Sequence, residues 1–332
     1  MQAGHACHHE SAANVIKLTY TKYMDQLSSR TFSGRIGTYN KKNKLSKLLF
    51  EMTTANFEDV NAIAQFIKSK VDLTPEVGII CGSGLGKLAD AVQNSKVLAY
   101  RDISGFPQST VEGHKGNLVF GTMGDKKVVV MQGRFHPYEG YSNHQIAIPI
   151  RVMKQLGVKT ILASNAAGAL NRQLKLGDLV MIKDHIYLPG LCLNNVLVGK
   201  NEDRFGPRFP AISDAYDPHL RLLFKQIAEE QHVSDAVQEG VYVFCGGPAY
   251  ESIAECKMLL MMGADVTGMS TVPEVVVARH CGMKVFAVSL ITNISVMDYG
   301  TKQAANHDEV LEVATKRTEL LQRLFEELIK RM

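Results

Sequence analysis

VVVMQGRFHPYEGY, Val128–Tyr141, is the stretch that decides how this chain is read. Its opening valines have the β-branched composition of a buried strand. A polar segment punctuated by glycine follows at once. Along an extended segment, residues i and i+2 point to the same side. Arg134 and His136 therefore face one anion together, and a guanidinium fork is the side chain best shaped to grip phosphate. Taken alone, the pair reads equally well as a surface cation cluster. Similar strand-end patterns elsewhere in the chain weigh against that reading.

In VGIICGSGLGKL, Val77–Leu88, a short apolar run feeds a glycine-rich turn and a helix is expected to follow. Glycines let the backbone turn sharply and present its N–H groups, and a helix N-terminus favours negative charge. Ser83 adds a hydroxyl. No Gly-Lys-Ser/Thr follows at Walker spacing, and Gly82, Gly84 and Gly86 are spaced G-x-G-x-G, which matches a dinucleotide fingerprint poorly. In TILASNAAGAL, Thr160–Leu170, an apolar run again ends in small residues, here Asn165–Gly168, which let a ligand approach the main chain. Ser270 and Thr271 precede the apolar Val275–Ala278 and read either as anion ligands or as a helix cap. His114 lies between Gly113 and Gly116 and reads as a loop residue or as a further anion contact.

Helical periodicity is expected over Phe57–Lys70, His144–Leu156, His219–Gln231, Glu251–Met262, Val272–Cys281 and His307–Lys330. Strand-like runs lie at Val77–Cys81, Val128–Met131, Thr160–Ser164, Leu179–Ile182, Val241–Phe244 and Lys284–Ile291. This alternation predicts an α/β layer fold with a central mixed sheet flanked by helices. Glycines and hydroxyls after strand ends predict ligand binding at the carboxyl edge of that sheet. No Ser-, Gly- or Pro-rich linker interrupts 57–330, so one large domain is expected.

At this point the chain resembles the homotrimeric purine nucleoside phosphorylases. The resemblance is carried by GSGLG (Gly82–Gly86), EGHKGNLVFG (Glu112–Gly121), QGRFHPYEGY (Gln132–Tyr141) and SNAAGALN (Ser164–Asn171). It continues through EDRFGPRFPAISDAYD (Glu202–Asp217), GGPAYE (Gly246–Glu251), GADVTGMSTVPEVVVARH (Gly263–His280), SLITN (Ser289–Asn293) and ANHDEV (Ala305–Val310). It implies a single-domain phosphorylase/hydrolase-like fold. It also implies reversible phosphorolysis of purine nucleosides, mainly 6-oxopurines, to free base and ribose 1-phosphate, with inorganic phosphate as co-substrate and no metal or other cofactor.

The transition state resembles a ribosyl oxocarbenium ion between phosphate and the departing base. The resemblance assigns phosphate binding to Ser83, His114 as a gate, Arg134, His136, the Ala166 backbone N–H and Ser270. It assigns charge stabilisation on the purine to Glu251 and Asn293, the latter donating to N7 or O6 as charge builds. Tyr138, Met269 and His307 are implied at the ribose. Tyr250 is implied at the base, with Thr267 on the pocket wall. Phe209 is implied to reach in from a neighbouring subunit, so that a complete site needs an oligomer, and the resemblance implies a cyclic trimer. Read without the resemblance, Glu251 is equally a helix-dipole partner and Asn293 equally a turn residue.

Three positions depart from the vertebrate pattern: Tyr250 stands for phenylalanine, Thr267 for a small aliphatic residue, and Ile294 for lysine. They bear on base selectivity more than on reaction type. A methylthioadenosine phosphorylase is the alternative enzyme, but that activity prefers an acid at Asn293 and an apolar residue at His307. A catalytically silent nucleoside-binding protein is a second alternative, against which the retained Arg134, His136, Glu251 and Asn293 argue. A calcium nucleoside hydrolase needs an N-terminal aspartate cluster that the sequence lacks.

Composition agrees with a globular enzyme: 332 residues, 45% hydrophobic and 21% charged. No run of about 18 apolar residues occurs, so no membrane span is expected. Cys7, Cys81, Cys192, Cys245, Cys256 and Cys281 are scattered without a C-x-x-C pair, which suits free thiols in a reducing, cytoplasmic setting. Charge is uneven: residues 1–50 hold eight Lys or Arg against Glu10 and Asp25, a net +6 within a total of +4. The basicity thus belongs to an N-terminal extension, 1–51, which weakens a nucleic-acid reading of the body. The extension has no secretory apolar core; its basic, acid-poor character also fits a mitochondrial address. His5, Cys7, His8 and His9 read as a solvated cluster, with adventitious metal binding as the alternative. The phosphorylase domain is expected over 52–332, with Met52 close to the family's usual start. A chain begun at Met52 is expected to keep its oligomer and its activity; loss of either, by gel filtration or rate assay, overturns this division.

Overall fold

A computed structural model describes residues 56–111, 113–301 and 306–332, with the side chains of 307 and 308 also outside the description. The order is α1 (Phe57–Lys70), β1 (Val77–Cys81), β2 (Gln93–Ala99), β3 (Asn117–Met123), β4 (Lys126–Gln132), α2 (Asn143–Leu156) and β5 (Thr160–Ala169). There follow β6 (Leu179–Tyr187), α3 (Pro218–Glu230), β7 (Val237–Phe244), α4 (Ile253–Met261), β8 (Val266–Gly268), α5 (Val272–His280), β9 (Lys284–Ile294) and α6 (His307–Arg331). The fold is α/β, and its sheet runs β2-β3-β4-β1-β5-β8-β7-β6-β9.

An extra pairing of β5 with β9 closes the second half of this sheet into a ring of five strands. Strand β5 is the hinge of the arrangement. Its first half lies parallel to β1, with Val77 opposite Thr160 and Ile80 opposite Ala163. Beyond a register shift between Ala167 and Gly168 it stays on β9 and takes β8 antiparallel, Gly168 opposite Thr267. The β5 segment Asn165–Gly168 thus lies where the sheet parts from the ring.

Side chains alternate across the strands and fill two layers. Ile80, Val129 and Ala163 pack with helices α1, α2 and α5. Ile79, Val130, Leu162 and Phe286 pack with α3 and α6, whose Phe224 and Phe325 are fully buried. In α6, Ala314, Thr318, Leu321, Leu324 and Leu328 are buried at 3–4 spacing, as expected for an amphipathic helix.

Strands β2, β3 and β8 were not expected. Strand β2 is polar, exposed along most of its length and at the sheet edge, and β8 has only three residues. The glycine-rich loop also differs from expectation. A 3-10 helix, Gly86–Ala91, follows it instead of an α-helix. Its glycines serve close packing: a Cβ on Gly82 would lie 2.7 Å from the Asn165 Cα, and one on Gly84 (φ +74°) would strike the Ala314 side chain at 2.5 Å. The loop is clamped between β5 and α6. Gly82→Ala is expected to cost about 1–3 kcal/mol or more, because the neighbour it meets is backbone; an unchanged urea midpoint would refute the packing role.

Candidate active site

Ser83 follows β1, Arg134 and His136 follow β4, Asn165–Gly168 occupy the second half of β5, Glu251 follows β7, Ser270 follows β8, and Asn293 ends β9. These carboxyl ends converge on a cleft of about 370 Å³. Ser83, Arg134, His136, Tyr138, Ala166, Tyr250, Glu251, Thr267, Met269, Ser270 and Asn293 all line it.

At one end the Arg134 guanidinium is 1% exposed. Its Nε donates to Glu274 Oε1 at 3.2 Å, and its Nη1 donates to Ser270 Oγ at 2.9 Å and to Thr271 Oγ1 at 3.1 Å. Asn165 Nδ2 donates to the same Thr271 oxygen at 2.9 Å. Thr271 holds φ +72° and ψ −52°, and the Val272 N–H donates to the Ser270 carbonyl at 2.8 Å. This is the γ-turn of positive φ, a rare and strained form, at a β-branched residue. The Thr271 side chain does not cap α5, so the capping alternative for this residue fails.

Beside the guanidinium, the rings of His114, His136 and Tyr138 stack, with centroids 5.6 and 4.6 Å apart. Glu139 Oε1 accepts from the His136 backbone N–H at 2.9 Å and pairs with Nδ1 at 2.9 Å, and Oε2 accepts from Thr110 N and Oγ1. Burial pulls the Glu139 carboxyl upward, but these bonds from His136 and Thr110 outweigh it and hold it down at about 2. A charged Glu139 needs a donor, so Nδ1 of His136 carries a proton and Nε2 is left with a lone pair when the ring is neutral. Burial, more than Arg134, lowers His136 below the usual imidazole range.

His114 does not line the cleft. It sits behind Ser83, with Nε2 3.4 Å from Ser83 Oγ and Nδ1 3.0 Å from Ser109 Oγ. Burial, then the neighbouring His136 and Arg134, push it down to about 3.

At the other end Glu251 lies outside the helix expected to contain it, since Ser252 caps α4 in a box with Glu255. The Glu251 carboxylate therefore lines the cleft, where Thr267 Oγ1 donates to its Oε1 at 3.0 Å. Gly168 separates Thr267 from Asn293: a Cβ there would lie 3.1 Å from Asn293 Nδ2 and 3.4 Å from the Thr267 methyl. Tyr250 is 43% exposed at the rim, and Val310 of α6 also lines the cleft. Phe209 is 87% exposed and lies outside the cleft of its own chain. His307 opens α6, and the expectation for its side chain falls outside the described residues. So does the His5, Cys7, His8 and His9 cluster. Among the described residues, no group of three His, Cys, Asp or Glu is arranged to hold a metal ion.

Sequence reasoning missed Asn165, Glu274 and Glu139 as individual contributors, and for Thr271 it weighed only anion contact or capping. Glu139 was findable, because a carboxylate three residues after His136 across a proline turn lies within reach of the ring. Nothing local in the sequence marks Thr271 as left-handed. The low pKa of His114 has a stability consequence. Between about pH 3 and the ordinary 6.5, the unfolded chain binds a proton here that the folded chain does not, so stability falls as pH falls. His114→Asn is expected to flatten that slope by up to about 1.4 kcal/mol per pH unit; urea midpoints from pH 4 to 7 parallel to wild type would contradict this.

The family model described as the phosphorylase superfamily matches residues 76–330. The purine nucleoside phosphorylase of Mus musculus is 48% identical over 271 residues, covering 80% of this chain and 92% of that protein. Among solved structures, Schistosoma mansoni purine nucleoside phosphorylase in complex with adenosine is 60% identical, with TM-score 0.82, covering 84% of this chain and 99% of that one. Isoform 2 of the Schistosoma mansoni enzyme, in complex with cytosine and ribose-1-phosphate, is 56% identical with TM-score 0.81, covering 84% and 98%. With this cleft at the joint of sheet and ring, and with similarity running nearly the whole length of those relatives, the chain belongs to the purine nucleoside phosphorylases of the phosphorylase superfamily.

Proposed function

We propose that the chain catalyses reversible phosphorolysis of purine nucleosides, mainly 6-oxopurine nucleosides, as a cytoplasmic homotrimer whose catalytic domain spans 52–332. The observation that carries this reading is one cleft with two chemically different ends: a buried guanidinium amid hydroxyls and neutral imidazoles, and a carboxylate beside an amide. Phosphate fits the first end. Its unprotonated oxygens meet Arg134, Ser270, Ser83 and the Ala166 N–H, while the P–OH of monohydrogen phosphate donates to the Nε2 lone pair that Glu139 leaves on His136. His114 acts through Ser83, whose hydroxyl it touches.

The purine fits the second end. Glu251, pinned at Oε1 by Thr267, offers Oε2 to the N1–H of a 6-oxopurine. Asn293 donates to N7 or O6, where charge develops as the glycosidic bond breaks. The ribose lies between, against Tyr138, Met269 and His307, with Phe209 of a neighbouring subunit completing the wall; the exposure of Phe209 supports this. Adenosine in one Schistosoma mansoni relative and cytosine with ribose-1-phosphate in another support a base range wider than 6-oxopurines alone. Thr267 is the residue we assign to that range, because its bond to Glu251 is lost when the position is aliphatic.

Initial rates on a nucleoside panel with and without phosphate test the reading. Base release is expected to require phosphate and to yield ribose 1-phosphate; free ribose released equally fast without phosphate would make the chain a hydrolase. Asn293→Ala is expected to lower the rate about 10²–10³-fold, roughly 3–4 kcal/mol, as for one donor aimed at developing charge; unchanged turnover removes its role. Thr267→Val is expected to change relative kcat/KM between 6-oxo and 6-amino nucleosides about tenfold, and identical ratios would acquit this position.

A further inference from the structure

We infer that Thr271 is a positioning residue whose hydroxyl fixes the direction of the Ser270 proton, turning Ser270 into a pre-aimed donor for an acceptor oxygen in the cleft. The inference follows from counting hydrogens. The two protons of Arg134 Nη1 are both used, one on Ser270 Oγ and one on Thr271 Oγ1. Thr271 Oγ1 accepts that proton and another from Asn165 Nδ2, so both of its lone pairs are filled. It can then only donate in its remaining contact, the 3.2 Å approach to Ser270 Oγ. Ser270 Oγ in turn accepts from Arg134 and from Thr271, so its own proton must point away from both, toward the buried Tyr242 hydroxyl beside it or toward an acceptor in the cleft. Ser270 has no alternative proton to offer, because its backbone N–H already donates to the buried Tyr242 Oη at 3.3 Å. The hydroxyl lines the cleft, so an acceptor oxygen bound there draws this proton away from Tyr242.

The backbone supports the same assignment. Thr271 sits at φ +72°, where a β-branched residue is strained and glycine is at ease. A hydroxyl with three hydrogen-bonding contacts gives a reason for threonine at a position whose backbone favours glycine. Asn165, 1% exposed, and Glu274, 4% exposed, hold the acceptor and the guanidinium from behind and do not replace the Ser270 proton.

This inference rests on phosphate occupying the Arg134 end, and the test separates the two. Phosphate binding is measured by titration calorimetry without nucleoside. Initial rates then vary phosphate and nucleoside in turn, for wild type, Thr271→Ser, Thr271→Val and Thr271→Gly. Thr271→Ser is expected to behave as wild type. Thr271→Val and Thr271→Gly are expected to weaken phosphate, in Kd and in KM, about tenfold, with nucleoside KM within about twofold. Thr271→Gly relieves the backbone but leaves the Arg134 and Asn165 donors without this acceptor, so its urea midpoint is read beside its phosphate Kd; this keeps the test informative if the valine variant does not fold. Wild type that binds phosphate while Thr271→Gly binds it equally well would overturn the relay and leave the phosphate site standing. Thr271→Ser as weak as Thr271→Gly, or phosphate and nucleoside constants worsening together, would also overturn it. Wild type with no phosphate binding would overturn the site and the relay with it.

Discussion

A guanidinium almost sealed from solvent is the constraint around which one half of this site is built. Desolvating such a cation costs several kcal/mol, and the cost falls only if the charge is paired and its hydrogens are used. Glu274, Ser270 and Thr271 supply those partners for Arg134, and none is its neighbour in sequence. Arg134 follows β4, Ser270 and Thr271 form the turn into α5, and Glu274 lies in its first turn, so the ion pair holds the mixed sheet to the helix that covers it. Nη2 still has no partner in this structure, and Glu274 Oε2 has none either. The cluster is thus nearly, but not wholly, satisfied: Nη2 is a donor that an anion would fill, whereas Glu274 Oε2 is an acceptor that only a further donor would fill.

The second constraint is geometric. One strand serves two sheet halves, and the place where β5 changes neighbours cannot be covered by a regular ladder. Small residues, Ala166, Ala167 and Gly168, let the main chain come to the cleft surface. The two ends of the site share one partner of that strand and differ in the rest: the Arg134 end draws on β1, β4 and the turn after β8, and the Glu251 end on β7, β8 and β9. In the function proposed above, a substrate spanning both would lie across the joint, with its reacting carbon between a cation and a carboxylate–amide pair.

Much of this was legible in the sequence, for identifiable reasons. Strands β1, β4, β5, β7 and β9 carry apolar β-branched runs because helices cover both faces. Arg134 and His136 were recognisable as a pair because alternation in an extended segment is local. Strand β2 was not legible, since an exposed edge strand keeps polar residues such as Gln93, Asn94 and Lys96. Strand β8 was hidden by its length. The helix expected to begin at Glu251 starts after Ser252, and that two-residue shift decides whether the carboxylate serves a helix dipole or faces a ligand. The conformation of Thr271 depends on Arg134 and Asn165, more than a hundred residues away, and no local pattern encodes it.

The C-terminal helix acts as a mechanical strut. At about 1.5 Å per residue its 25 residues span roughly 37 Å. Near one end Leu311 and Ala314 press on Gly84, beside Ser83. At the other, the backbone of Glu326 and Lys330 lies against Gly124 in the turn between β3 and β4, where a Cβ would come within 2.9 Å of the Glu326 carbonyl. The helix is thus seated against glycine at both ends, with no room for a side chain at either. A side chain added at Gly84 or at Gly124 would therefore push on the same helix from opposite ends.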